Sequence, residues 1–327
     1  MGKMKVFITE PLPFVEKAVK ILEKHVDVEV SKRFYDVVPP EKLRGCIAVI
    51  IGDSVISKDS LEDANELRLV QKAGVGINTI DLTACTKRGI YVCNLPGVNA
   101  IDVAEYVIGA MISGLRDFPR MDKAARMAAW NERPGLIGER LTGKKVGIIG
   151  LGGIGREVVR LLKPFNVKIL AYDPYISEEI SQKLEVKKTD LETLLRESDI
   201  VTIHAPLTEE TRGLLGKREL SLMKPTAILI NTARGSIVNE DALYYALKNG
   251  WIKFAVIDVW AEEPLKPGNP LFELENVQLS IHTASWTCQA FENLMRLSAE
   301  NVIRIIKGEQ PLNIVNKSLI ESKTKDS

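Results

Sequence analysis

Short β-branched runs alternate with amphipathic stretches from the start of the chain. Val6-Phe7-Ile8 leads into an amphipathic segment over residues 13–25 and then an apolar-rich run over 26–30. Residues 47–51 are continuously apolar, a helical pattern follows around 61–67, and Leu69-Val70 and residues 90–93 complete the series. Strands that alternate with helices predict a parallel sheet with helices on both faces. A second series begins at Lys144, with strands predicted over 145–149, 167–172, 200–204, 227–231, 255–259 and 277–281. Helical patterns over 154–163, 191–197 and 240–248 fill gaps between them. Unbroken apolar strands such as Ala227-Ile228-Leu229-Ile230 are what a sheet buried on both faces requires.

Between the two series lies a long stretch, residues 101 to about 130, whose Ala104, Val107, Ile108, Met111, Ile112 and Leu115 keep one apolar face and predict a helix. A last helix is predicted over 289–307, beyond the final strand of the second series. It is free to return to the first domain, which makes that domain discontinuous: 1–99 with 288–327, interrupted by 100–287. The tail after Leu319 reads as disordered.

The chain has 327 residues, enough for two ordinary domains. Lys plus Arg number 44 and Asp plus Glu 43, so no net field attracts nucleic acid or an anionic membrane. Cys46, Cys85, Cys93 and Cys288 form no C-x-x-C pair and have no His at ligand spacing, so neither a disulfide framework nor a metal site is expected. Asp102 and Glu105 interrupt the most apolar long stretch, which argues against a membrane span. Met1 to Lys5 runs straight into a strand without a cleavable apolar segment, and the cytoplasm is the expected location.

Directly after the strand 145–149 stands Gly150-Leu151-Gly152-Gly153-Ile154-Gly155, followed by a helix. Gly150 permits the tight turn, Gly152 lets the backbone approach a pyrophosphate, and Gly155 lets helix and strand pack closely. The next strand ends on Asp173, placed to accept hydrogen bonds from the adenosine ribose hydroxyls and to repel a 2′-phosphate. Strand, glycines, helix, strand and acid in that order point to a dinucleotide, NAD rather than NADP.

Other polar residues stand just past predicted strands, where open α/β sheets place ligands. Arg234 follows Ile230-Asn231-Thr232-Ala233, Glu263 lies in the segment from Asp258 to Pro264, and His282 ends the strand 277–281. Reversible oxidation of a hydroxy acid needs a planar cation for carboxylate and carbonyl oxygens, which Arg supplies. It also needs an acid/base with a pKa near neutrality, which His supplies, oriented by a carboxylate. His204 also ends a strand, and spacing alone does not choose between it and His282.

Ala73-Gly74-Val75-Gly76 with Asp81, Asn99 with Val103-Ala104-Glu105, the Gly150 loop with Asp173, and His204-Ala205-Pro206-Leu207-Thr208 occur in that order. Asn231-Thr232-Ala233-Arg234-Gly235, the run from Asp258-Val259 to Glu263-Pro264, and His282 follow. Over nearly the whole chain this series resembles the D-isomer-specific 2-hydroxyacid dehydrogenases, which include phosphoglycerate dehydrogenase and glyoxylate/hydroxypyruvate reductase. The resemblance implies a Rossmann NAD domain inserted into a flavodoxin-like substrate domain, with the active site between them. It implies His282 as acid/base, Glu263 as its partner and Arg234 as the substrate-orienting residue. Asp258 resembles the contact to the nicotinamide carboxamide, and His204 and Pro206 the loop beside the adenosine half. Thr232 and Ala233 join the cofactor set. Gly74, Val75 and Gly76 resemble the carboxylate cradle. Lys72 stands where phosphoglycerate dehydrogenases commonly carry a basic residue, and is expected at the far end of an anionic substrate. The resemblance also implies a homodimer through 101–130, with Trp130 reaching toward the partner.

Two departures from the family's pattern stand out, Asp102 where Ser or Thr is common and Trp286 where small residues follow the His. Formate oxidation is disfavoured, since formate enzymes of this type carry Gln in place of Glu263. The competing reading is an NAD-binding regulatory protein, like the transcriptional corepressors built on this fold.

Overall fold

The N-terminal apolar runs assemble, in the computed structural model, which describes residues 4–319, into a five-stranded parallel sheet. Its strands are β1 (Lys5–Ile8), β2 (Asp27–Val30), β3 (Cys46–Ile51), β4 (Leu69–Lys72) and β5 (Tyr91–Cys93), in the order β2-β1-β3-β4-β5. Every residue of β3 is buried, because it pairs on both edges and apolar layers cover both faces. Part of one layer is the helix Cys288–Ile306, which buries Phe291, Leu294, Met295 and Val302 with Val6, Ile8 and Ile50. Further on, Ile314 bridges to Cys93, and Asn316 Oδ1 accepts the Val92 N–H at 2.9 Å. The chain therefore divides into one compact unit of Met1–Asn99 with Trp286–Ser327, and a second of Ala100–Ser285. The tail read as disordered lies outside the described residues.

In the second unit seven parallel strands stand in the order β12-β11-β10-β9-β6-β7-β8. They are β6 (Lys145–Ile149), β7 (Lys168–Tyr172), β8 (Lys187–Lys188), β9 (Ile200–Ile203), β10 (Ile228–Asn231), β11 (Phe254–Ile257) and β12 (Val277–Leu279). The chain winds away from β6 in one direction through β7 and β8, then in the other through β9 to β12. Such a reversal opens a crevice at the carboxyl ends of the strands, where open α/β sheets take their ligands.

The apolar stretch expected as one helix to about residue 130 is instead two, Ala100–Arg116 and Phe118–Arg126, followed by a 3₁₀ segment, Trp130–Gly135. Asp117 turns left-handed at φ 54°, and its side chain accepts the Arg120 N–H to start the second helix. Pro119 accounts for the break, since it lacks an N–H and its ring collides with the carbonyl four residues back in a continuous helix. The first helix keeps its apolar face and packs beside the helix Gly153–Leu162. The pattern at 61–67 likewise forms no α-helix. Leu61, Ala64 and Leu67 are buried, but from a 3₁₀ turn, Asp59–Leu61, and the turns after it. A spacing of three satisfies that geometry as well as an α-helix. Among the described residues, no helix is long and apolar enough to cross a membrane.

Candidate active site

One half of the second sheet ends on the residues singled out for a dinucleotide. β6 runs into Gly150, which takes φ 93°, and a Cβ there would lie 2.7 Å from the Ala205 amide nitrogen. A Cβ at Gly155 would lie 2.2 Å from the Gly150 carbonyl oxygen, so the helix Gly153–Leu162 packs onto the turn with no side chain between. The Cβ direction of Gly152, by contrast, meets nothing within 4 Å. Bare backbone thus faces open space at Gly152, where the helix Gly153–Leu162 begins with N-terminal N–H groups suited to a phosphate. Asp173, directly after β7, accepts the Leu151 N–H at 2.8 Å through Oδ2 and the Tyr175 N–H at 2.9 Å through Oδ1. A carboxylate offers about four lone-pair sites, so roughly half stay available for hydroxyl donors.

His204, directly after β9, turns its ring nitrogens inward. Nε2 lies 3.0 Å from Thr202 Oγ1, Nδ1 is buried without a partner among the described residues, and burial pushes the pKa down to about 3. A ring that stays neutral throughout the physiological range is a poor proton donor, which separates it from His282. Pro206 is exposed in the same loop. Thr232, 7% exposed, also holds a buried hydroxyl without a protein partner, a polar atom left over for a bound group.

The other half of the sheet brings Arg234, Glu263 and His282 to three neighbouring strand ends. Past β10, Asn231 Oδ1 accepts the Ala233 N–H at 3.1 Å and Nδ2 donates to the Arg234 carbonyl at 3.0 Å, folding the turn that presents Arg234. A Cβ at Gly235 would sit 1.9 Å from the Trp260 carbonyl carbon, so glycine lets this turn touch the loop after β11. In that loop the Trp260 N–H donates to Glu263 Oε1 at 3.0 Å, and Glu263 Oε2 lies 2.8 Å from His282 Nδ1. Burial pushes the Glu263 carboxyl up, but the hydrogen bonds from His282 and Trp260 outweigh it and hold the pKa below the usual value. The same bond to Glu263 raises the His282 pKa, against partial burial and the charge of Arg234. A carboxylate only accepts, so Nδ1 carries a proton in this pair and Nε2 is the nitrogen left for chemistry.

His282 itself is backbone-strained, at φ 59°. Asp258, fully buried at the end of β11, holds it there. The His282 N–H donates to the Asp258 carbonyl at 2.6 Å, and the carboxylate takes the N–H groups of Thr283 at 2.8 Å and Ala284 at 3.0 Å. A left-handed residue costs about 1–2 kcal/mol. Hydrogen bonds to a charged group contribute about 1.5–3 kcal/mol each, enough to hold the turn. Asp258, expected at the nicotinamide carboxamide, thus commits its carboxylate to the His282 loop.

In the first unit, β4 ends on Lys72, 7% exposed, whose Nζ donates to the Gly52 carbonyl and lies 3.3 Å from Asp53 Oδ1. Glu10, also buried, accepts from the Asp53 and Ser54 N–H groups and the Ser54 hydroxyl. The carbonyl of Gly74 accepts the Leu95 N–H at 2.8 Å, and that of Val75 accepts Asn94 Nδ2 at 2.7 Å. The N–H groups of Val75 and Gly76 have no protein acceptor among the described residues. Asp102 is buried in the first turn of the helix Ala100–Arg116, and Trp286 is half-exposed with its ring edge-on to Phe291, centroids 5.2 Å apart.

Sequence reasoning missed the supports of this site. Glu10, just past β1, and Trp260, in the loop after β11, were given no role of their own, and only their places past strand ends could have marked them.

The family described as D-isomer specific 2-hydroxyacid dehydrogenase, NAD binding domain, matches residues 108–284. The chain is 39% identical to the glyoxylate reductase of Thermococcus litoralis over 333 residues, covering 98% of this chain and 99% of that protein. It is 38% identical to the D-3-phosphoglycerate dehydrogenase of Archaeoglobus fulgidus over 320 residues, 97% of this chain but only 60% of that longer protein. Among solved structures it resembles an NADPH-dependent glyoxylate/hydroxypyruvate reductase from Sinorhizobium meliloti in complex with NADP and malonate, at 26% identity and a TM-score of 0.83, covering 96% of this chain and 97% of that one. The chain belongs to the D-isomer specific 2-hydroxyacid dehydrogenase family. With that, it carries the family's NAD-binding domain, built on the seven-stranded sheet.

Proposed function

We propose that the protein is an oxidoreductase for small 2-oxo and D-2-hydroxy acids, and the Glu263–His282 pair beside Arg234 is the observation that carries this reading. When bound, the nicotinamide supplies the hydride that C2 of the oxo acid receives, or accepts it in reverse. His282 donates the Nε2 proton to the carbonyl oxygen as it becomes a hydroxyl, and Glu263 stabilises the imidazolium beforehand. In the opposite direction neutral His282 takes the hydroxyl proton. Arg234 orients the substrate's oxygens as a planar multi-donor cation. The unpartnered N–H groups of Val75 and Gly76 suit a carboxylate.

NAD is the preferred form. Asp173 keeps acceptor capacity for ribose hydroxyls, and its negative charge disfavours a 2′-phosphate. The NADP complex of the Sinorhizobium meliloti relative makes this a property of the individual chain, to be tested on it. Lys72 bears on substrate size. Its ammonium is already engaged by the Gly52 carbonyl and Asp53, which favours acids of glyoxylate or hydroxypyruvate size over phosphorylated ones. A second copy of the chain is the partner we propose for the 101–130 segment. Phe118, Met127 and Trp130 are 47%, 66% and 79% exposed, and Ile137 beyond them 85%, an apolar surface of the kind that marks an interface. The cytoplasm is the compartment proposed for such an enzyme.

A panel of 2-oxo acids, ranked by kcat/KM with NADH, tests the reading. Turnover of glyoxylate or hydroxypyruvate is expected, and no turnover of any member favours the NAD-binding regulatory alternative.

A further inference from the structure

Asp258 accepts more than the backbone of the His282 loop. Ser280 Oγ donates to Asp258 Oδ1 at 2.5 Å, and Tyr106 Oη lies 2.7 Å from the same Ser280 oxygen. The direction of this chain is fixed by what each group offers. An ionised Asp258 only accepts, so the single Ser280 hydroxyl hydrogen goes to it, and Tyr106 must donate to Ser280. The Ser280 carbonyl is pinned independently by Trp260 Nε1 at 2.9 Å. Ser280 is therefore held from both ends, two residues before a strained His282. Tyr106 lies on the helix Ala100–Arg116, so the chain ties that helix to the loop after β12.

We infer that Tyr106 and Ser280 are positioning residues for the His282 acid/base, acting through the carboxylate of Asp258. This rests on the function proposed above. Neither hydroxyl touches His282: Ser280 completes the carboxylate that holds the left-handed turn, and Tyr106 fixes the Ser280 hydroxyl. A residue at positive φ keeps that conformation only while its surroundings over-determine it. Removing a donor from Asp258 frees the carboxylate to turn toward other partners and loosens its grip on the Thr283 and Ala284 amides. The ring of His282 then loses its fixed aim while the glycine loop and Asp173, on the other half of the sheet, stay as they are.

The test uses Tyr106→Phe, Ser280→Ala, Ser280→Thr and the double variant Tyr106→Phe/Ser280→Ala. Misplacement of a reacting group by a fraction of an ångström costs rate steeply, so Ser280→Ala is expected to lower kcat by about tenfold while the Kd for NADH stays within about twofold. Ser280→Thr keeps the hydroxyl and restores kcat. Tyr106→Phe lowers kcat less, and adds nothing in the Ser280→Ala background because its route is already cut. An unchanged kcat in Ser280→Ala, a parallel loss of NADH affinity, no rescue by Thr, or multiplicative losses in the double variant overturns the inference. The nuclear magnetic resonance signal of the His282 ring, assigned by its absence in His282→Asn, provides a readout without substrate. It should be displaced or doubled in Ser280→Ala and Tyr106→Phe and native-like in Ser280→Thr. If wild type reduces no 2-oxo acid, the proposed function fails. The ring signal alone then decides the positioning role, an undisturbed signal contradicting it and a displaced one upholding it.

Discussion

His282 Nδ1 and Glu263 Oε2 lie 2.8 Å apart, and each moves the other's ionisation in the direction that keeps both charged. The His282 pKa is raised, so the imidazolium persists to higher pH than an isolated ring allows. On the proposed function, reduction of a 2-oxo acid needs that proton, so activity should fall as pH rises through the raised pKa. Glu263→Gln removes the charge that raises it. The alkaline fall of kcat/KM should move to lower pH, and the rising limb of the oxidative direction should move down with it. Profiles measured under conditions where hydride transfer limits the rate check this, and limbs that stay in place exclude Glu263 as the partner.

Asp173 anchors the glycine loop through Leu151, and in the proposed reading it also faces the ribose with its negative charge. Asp173→Ala should raise kcat/KM for NADPH relative to NADH, and lower the value for NADH itself. The ratio is the decisive quantity. A wild type that prefers NADPH, or a ratio untouched by the substitution, sinks the assignment.

A substitution at Lys72 tests the proposed preference for small acids. Because its ammonium is engaged by the Gly52 carbonyl and Asp53, Lys72→Ala should weaken glyoxylate and 3-phosphohydroxypyruvate reduction by similar factors, through disorder of the 52–54 loop. A loss confined to the phosphorylated acid, read from kcat/KM on both, contradicts the preference for small acids.

The exposed apolar surface of the second unit predicts a homodimer. Light scattering at micromolar concentration should give twice the mass of one chain. Trp130→Glu, at a position 79% exposed, should shift the population toward one chain without unfolding it. A wild-type mass of one chain removes the proposed interface.

Much of this was legible in the residues. The apolar runs of β3 and β10 and the glycines after β6 follow local rules of burial and turn geometry, and their strand ends place the site. The split at Asp117 was legible too, from Pro119, but the apolar period before it masked it. What the sequence could not disclose is non-local. The commitment of the Asp258 carboxylate to the His282 loop depends on the spacing between β11 and β12 loops, and the engagement of Lys72 on the register of β3 against β4. None of these partners is a neighbour that a motif records as a contact.

On the proposed function, His282 transfers the proton that accompanies hydride transfer at C2. The most direct measurement is the rate of NADH oxidation with glyoxylate by wild type and His282→Asn, alongside the Kd of each for NADH. Wild type should turn over, and the variant should lose about 10²–10⁴-fold in kcat, the usual contribution of a positioned acid/base, with NADH affinity preserved. A variant that keeps wild-type kcat would contradict the account.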